Sequence, residues 1–386
     1  MEKCDIILNY YKSIYLEIWR NSCMLKKIIA PGIYQRKSGL RHLAGQYCRE
    51  FGTKAYIIGG KTALNVIKRD LLESFSKDGL EVTKVSWYGG EVSWENINRL
   101  AQEAKELASE IIVGVGGGKA LDTAKAAAFK ANLPVITIPT IAATCAAWTP
   151  LSIVYTNKGE YLELTLDARN PSLVLVDSEI ITKAPLDLLR AGIGDTLAKW
   201  FELELTVRNN LKDATVAAAY SLANLCYQTL INHGAKAIKD AMTGQVTPEV
   251  EQVIDANILL SGLVSGLGGD DFRSGGAHAI YNGFTLLKET HQYYHGAIVA
   301  FGILCQLCLE KKETEIIQLL PFYKQTGLPY TLKQIGVTNF SEEKALAVAN
   351  ASVETEDMAN LPFKVTTDMV IKAILKTDEI GKKAGE

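Results

Sequence analysis

The sequence predicts an α/β N-terminal half built on a parallel sheet, residues 24–180, joined to an all-α C-terminal half, residues 181–386. Three observations predict it. Short apolar runs, several ending in glycine, alternate with helix-patterned stretches up to about residue 180, the signature of strands joined by crossover helices. These runs are continuously apolar rather than alternating, as strands buried on both faces should be. Beyond residue 181 the strand signals stop and long segments of helical period take over.

In order, the predicted strands are "KAYIIGG", "VTKVSWYGG", "EIIVGVGGG", "LPVITIPT" and "SLVLVDSEII". Helices lie between them in "WENINRLAQEAKELAS" and "ALDTAKAAAFKAN". The second half supplies "PLDLLRAGIGDTLAKWFELELTVR", "DATVAAAYSLANLCYQTLINHGAKAIKDAM" and "TPEVEQVIDANILLSGLVSGLG". A cleft between the halves is the natural ligand site.

Composition narrows the function classes. With 41 basic and 43 acidic residues the net charge is −2, which argues against a nucleic-acid or membrane-surface partner. Apolar residues make up 48% of the chain, yet the sequence pattern predicts no run of about 18 that would span a bilayer. Seven cysteines, an odd number, fit a reducing cytoplasm better than a disulfide framework. Cys305 and Cys308 form a CxxC, but inside "AIVAFGILCQLCLE" they read as small apolar residues of a buried helix. Residues 1–23 lack the apolar core and cleavage site of a signal peptide. They read either as an extension preceding a start at Met24 or as an amphipathic helix.

The run "IIVGVGGGKALDTAKAAA" follows a strand and opens a helix. Gly116, Gly117 and Gly118 remove side chains where backbone must approach a ligand, and the helix N-terminus offers free N–H groups to a phosphate. It is neither a P-loop (Val113 and Ala120 break that pattern) nor GxGxxG, because Lys119 replaces the last glycine. The physics predicts a diphosphate-binding turn, against the alternative of a tight turn without a ligand. The next strand leads into "PTIAATCAAWTPLSIVYT", whose small and hydroxyl residues suit a loop lying along a nucleotide.

Metal chemistry is suggested by Asp195, an acid on an otherwise apolar helix face, and by His278 and His295. A buried carboxylate needs a partner, and two histidines with one carboxylate make a three-ligand site with an open position. Periodicity alone does not bring the three together.

From about residue 24 to its end the chain resembles the glycerol dehydrogenase branch of the metal-dependent, "iron-containing" alcohol dehydrogenase superfamily. The motifs are "GVGGGKALDTAKA", "PTIAAT", "LSIVYT", "NPSLVLVDSEII", "GIGDTLAKWFE", "LLSGLVSGLG", "AHAIYNGFT", "YYHGAIVAFG" and "ETEDMANLP". The resemblance implies a dehydroquinate synthase-like fold, with a dinucleotide-binding α/β domain and a helical metal-binding domain. It implies that Asp195, His278 and His295 hold a divalent metal, zinc first, with iron or nickel as alternatives. It assigns Gly116, Gly117, Gly118 and Lys119 to the cofactor diphosphate. Asp122, Thr140, Thr144, Thr149, Leu151 and Tyr155 fall with the remaining cofactor contacts. It also implies a homo-oligomer.

Three departures point away from glycerol. The substrate loop reads Thr144-Cys145-Ala146-Ala147-Trp148, where glycerol dehydrogenases read T-D-A-P; Cys145 cannot hold two hydroxyls as an acid does, and its neutrality removes repulsion of an anion. Arg273, where a small residue is usual, is shaped to grip a carboxylate, or else pairs with Asp270 or Asp271. Lys61 follows the first strand where NAD-preferring members carry an acid, which favours NADP(H) over NAD(H). Cys145, Arg273 and the block "PTIAATCAAWTPLS" resemble the hydroxycarboxylate dehydrogenase subgroup, with Trp148 as a wall of a small pocket.

The expected activity is therefore hydride transfer between NADP(H) and a small 2-oxo/2-hydroxy acid. The alternative is a glycerol or polyol dehydrogenase using NAD. A dehydroquinate synthase-like lyase, a glycerol-1-phosphate dehydrogenase and a binding protein without turnover are weaker rivals. A water, a ribose hydroxyl or Tyr281 is left as proton relay, and His291 as a further cleft residue.

Overall fold

The computed structural model describes residues 30–157, 159–165, 168–207, 211–269 and 274–385. The predicted extension 1–23 and the predicted carboxylate grip Arg273, with Asp270 and Asp271, lie outside these residues. Six parallel strands form one sheet in the order β1-β8-β5-β4-β2-β3. They are β1 (Ile33–Lys37), β2 (Lys54–Gly59), β3 (Glu81–Trp87), β4 (Ile111–Gly116), β5 (Val135–Pro139) and β8 (Leu173–Asp177). The central strands β4, β5 and β8 are buried at every residue, and all three are runs of Val, Ile, Leu and Gly with few polar interruptions. The outer strands β1 ("IYQRK") and β3 ("EVTKVSW") carry the charges, which suits an edge facing water.

Numbering helices of eight residues or more, α1 (Lys61–Lys77), α2 (Trp94–Glu106) and α3 (Gly118–Ala131) cover the sheet. All five predicted strands are present. The periodicity argument missed β1, whose sequence is too polar to read as a strand. It also missed an antiparallel hairpin, β6 (Ser152–Tyr155) with β7 (Tyr161–Thr165), inside what reads as an open loop.

After β8 the described residues form helices only. They are α4 (Leu186–Thr206), α5 (Ala214–Met242), α6 (Pro248–Asp255), α7 (Ser261–Gly268), α8 (Gly276–Phe284), α9 (His295–Leu309), α10 (Glu313–Thr326), α11 (Glu342–Val353) and α12 (Thr367–Gly385). Thr247 caps α6 by accepting from the Val250 N–H, and Pro248 supplies the preset first turn. Between α6 and α7 the helix widens into a π-turn over Ala256–Leu260. This Pro248–Gly268 run is long and apolar enough to cross a bilayer by length and composition, contrary to the expectation from sequence. Its acids Glu249, Glu251 and Asp255 gather at one end, and Val250, Val253, Ile254, Ile258 and Val264 are fully buried in the protein's own core.

The two halves are fastened at the sheet edge. The Tyr34 hydroxyl and the Arg36 Nε both donate to Asp255 at 2.8 Å, and Arg36 pairs with Glu251 at 2.5 Å. Trp148 lies beside them, its ring 5.9 Å from that of Tyr34. The largest apolar core spans this junction, joining Val174 and Val176 of β8 to Ile193, Leu197 and Phe201 of α4 and Val299 and Ile303 of α9.

Candidate metal centre and cofactor turn

Glycines decide where the metal-ligand candidates meet. A Cβ on Gly194 would stand 2.2 Å from the Gly296 carbonyl oxygen, and one on Gly296 would stand 1.9 Å from that of Ala191. Only glycine lets α4 and α9 approach so closely; Asp195 follows Gly194 and His295 precedes Gly296. The carbonyl of Ala277 packs as tightly on Gly302, bringing α8 and His278 onto the same side. Asp195 Oδ1 then lies 3.3 Å from His278 Nε2 and 3.2 Å from His295 Nε2. Donors about 2.1 Å from a tetrahedral ion stand about 3.4 Å apart, so this set fits a zinc-sized divalent metal. It is the one such donor cluster among the described residues. Asp195 is 5% exposed, and against its burial the two histidines hold its carboxyl far below the usual carboxylate range.

Behind the ligands sits Glu202, 1% exposed, which sequence reasoning missed. Both its carboxylate oxygens lie 2.9 Å from His278 Nδ1, and Oε1 also accepts the His278 backbone N–H. That holds a proton on Nδ1 and turns Nε2, the nitrogen left to ligate a metal, toward Asp195. Buried Gln306 braces the same layer, accepting from the Ala277 N–H and donating to the Phe201 carbonyl. Asp195, Lys199 and Glu202 recur every three to four residues, so one face of an apolar helix carries three buried charges. That register is the signal the sequence held. We expect Glu202→Gln to weaken metal binding by about tenfold to a hundredfold, because His278 loses the anion that orients it. Competition with a chromogenic chelator measures this, and unchanged affinity would show the contact to be incidental.

Lys199, 6% exposed, is the second residue missed. Its positive charge acts on Asp195, Glu202, His278 and the Cys145 thiol. Burial pushes the Cys145 thiol up, with Lys199 opposing, so Cys145 is a neutral group. The Tyr281 ring stands edge-on to His295, centroids 4.2 Å apart. His291 is exposed and bonds the Thr285 carbonyl, away from the cluster.

On the sheet side β4 ends at Gly116, whose φ of 142° favours glycine, and Gly117 caps α3. A Cβ on Gly117 would stand 2.7 Å from Ile141. Gly117 and Gly118 line a small cavity with Ile141, Thr144, Ala146 and Ala147. This bare helix N-terminus is the shape expected of a diphosphate seat. Lys119 pairs with Glu91 at 2.7 Å and lies over the Tyr155 ring at 5.0 Å. Thr140 donates its N–H to the Gly116 carbonyl. Lys61 opens α1 with its ammonium 4.2 Å above the Trp87 ring.

Two expectations need correction. Asp122, expected at the cofactor, faces inward: it pairs with Lys125 at 2.8 Å and accepts the Ile153 N–H. It falls one turn into α3, on the side facing the loop rather than the open turn. Trp148, expected as a pocket wall, is 5% exposed and packs on Gly262 and Tyr34 in the junction core. Thr149 and Leu151 meet Lys125 through their carbonyls.

In sequence and in fold the chain is similar to known proteins. The model of the family described as iron-containing alcohol dehydrogenase matches residues 31–178. The glycerol dehydrogenase of Citrobacter freundii is 39% identical, over 93% of this chain and 99% of the relative. The chain belongs to the iron-containing alcohol dehydrogenase family. Hydroxycarboxylate dehydrogenase A of Escherichia coli K12 is 36% identical over 92% of this chain and 98% of its own length. The crystal structure of a probable glycerol dehydrogenase from Sinorhizobium meliloti 1021 superposes with a TM-score of 0.83 at 32% identity, over 93% of this chain and 100% of that one. As a member of the family, the chain is an NAD(P)-dependent dehydrogenase.

Proposed function

We propose that this family member reduces a short 2-oxo acid to the 2-hydroxy acid, with NADPH as the preferred hydride donor. The observation that carries the substrate choice is a loop that presents Cys145, kept neutral by burial, and no acid at residues 144–151. A carboxylate entering there meets no anion on the loop, which favours an acid over a neutral polyol. Lys61 supports the cofactor choice: stacking on Trp87 orients its ammonium without neutralising it, at the helix start where a ribose 2′-phosphate would lie.

Asp195, His278 and His295 would hold the divalent metal, zinc first and iron or nickel otherwise. When bound, the metal polarises the substrate oxygen and stabilises the charge developing there. Glu202 keeps the Nε2 of His278 free to ligate. The glycine turn would hold the cofactor diphosphate at the N-terminus of α3. Tyr281 stands edge-on to His295 and would limit the freedom of its ring.

A second reading has its own support. Relatives 39–40% identical are named glycerol dehydrogenases, against 36% for the hydroxycarboxylate enzyme, so similarity favours polyol oxidation. One experiment decides between them: oxidation of NADPH and NADH by zinc-loaded protein with 2-oxobutyrate, set beside dihydroxyacetone. The proposal expects the highest kcat/KM for 2-oxobutyrate with NADPH. Preference for dihydroxyacetone with NADH would replace it by the polyol reading.

A further inference from the structure

Lys125 is completely buried, yet its ammonium is surrounded by oxygen. The carbonyls of Ala146, Thr149 and Leu151 lie at 2.8, 2.8 and 2.7 Å, and the Asp122 carboxylate at 2.8 Å. Three inward carbonyls and one carboxylate form a cage of the kind that takes an alkali cation, here filled by a tethered ammonium. The two ends of this cross-link are specific. Lys125 stands on α3, whose first turn is the glycine seat. The carbonyls belong to the loop that carries Thr144, Cys145, Thr149 and Leu151.

Few other bonds hold that loop. The Trp148 and Thr149 N–H groups turn back onto the Cys145 carbonyl, and Thr137 donates to the Ala147 carbonyl. Without the ammonium, the Thr149 carbonyl would be buried and unpaired, and those of Ala146 and Leu151 would lose the same donor. Unpaired buried carbonyls would turn toward water and carry the loop with them.

We propose that Lys125 is a positioning residue for the cofactor: its ammonium fixes the 144–151 loop relative to the glycine turn, so that the diphosphate and the adjoining nucleoside are gripped as one rigid seat. The inference rests on the reading of the glycine turn as the diphosphate site and is independent of the choice between oxo acid and polyol.

The test is dinucleotide affinity, read by fluorescence titration with NADPH and NADH on zinc-loaded protein. Lys125→Met fills similar volume and removes all three donors to the loop. It is expected to raise the dissociation constant by about tenfold to a hundredfold, the effect of leaving buried carbonyls of the seat unpaired, while metal content stays at that of the parent. Lys125→Met leaves Asp122 buried and unpaired, so the double variant Asp122→Asn/Lys125→Met separates the roles. A positioning role predicts that the double variant regains thermal stability but keeps the weakened cofactor binding. Return of parental affinity in the double variant would show that Lys125 serves only to neutralise Asp122, and would overturn the inference. So would parental affinity in a folded Lys125→Met protein. If that single variant does not fold, the double variant, which buries no unpaired charge, carries the test. A parent protein that binds neither dinucleotide would instead refute the reading of the glycine turn.

Discussion

Asp195→Ala is expected to abolish metal retention and to lower kcat/KM for carbonyl reduction by about a thousandfold or more, since Lewis-acid stabilisation is worth several kcal/mol and each 1.4 kcal/mol or so is tenfold. Asp195 is the hub: its Oδ1 lies 3.3 Å from His278 Nε2 and 3.2 Å from His295 Nε2, so its removal takes away the one carboxylate of the donor set. Proton linkage gives the same site a second readout. Burial alone would lower the His278 pKa, but the charges of Glu202 and Asp195 push it up to about 10 in the metal-free protein. Metal must displace that proton. Its apparent affinity should therefore rise about tenfold per pH unit through the neutral range and level off near pH 10, with about one proton released per ion bound at pH 7.5. The sign reverses for metal-free stability. The raised pKa makes protonated His278 stabilising below its unfolded value of about 6.5, and this contribution is lost as pH rises through about 10. Isothermal titration in two buffers of different ionisation enthalpy measures the proton release. Metal affinity independent of pH, or full activity in metal-depleted Asp195→Ala, would contradict this account of the centre.

The alternation of apolar runs with helical stretches foretold the sheet because buried parallel strands cannot be polar; β4, β5 and β8 announced themselves. Strand β1 did not, since "IYQRK" is an edge whose Arg36 reaches across to Asp255 and Glu251, and its strand character comes from pairing with β8 rather than from propensity. The ligand triad was legible as residue types but not as a cluster. What joins it is close helix approach at Gly194, Gly296 and Gly302, and a glycine's steric role shows only against its neighbour. Glu202 and Lys199 were overlooked because an acid and a lysine on a long helix read as solvent-facing, although their spacing from Asp195 marked a single face. Asp122 and Trp148 went astray for the opposite reason. A place beside a motif was read as a place in the site, whereas one residue pairs with a buried lysine and the other fills the junction core.

Substrate choice is predicted to turn on two side chains. Lys199→Met removes the buried cation at nearly constant volume. It should raise KM for 2-oxobutyrate by about tenfold to a hundredfold, the worth of a hydrogen bond to a charged group, while changing KM for uncharged dihydroxyacetone little. Cys145→Asp places an anion beside that cation. The new carboxylate would pair with Lys199, repel an incoming carboxylate and offer two acceptors to vicinal hydroxyls. The ratio of kcat/KM for the oxo acid to that for dihydroxyacetone should therefore fall by about a hundredfold or more, since like charges in contact cost several kcal/mol. Both variants must be compared at equal metal occupancy, because the Lys199 charge also acts on Asp195 and Glu202. An equal loss for both substrates would assign Lys199 to balancing the buried acids of the centre. A loss confined to the oxo acid in Lys199→Met, with a gain for the polyol in Cys145→Asp, would locate the discrimination in the charge of the loop opposite the metal ligands. The same two residues would then account for an oxo-acid reductase among relatives named for glycerol.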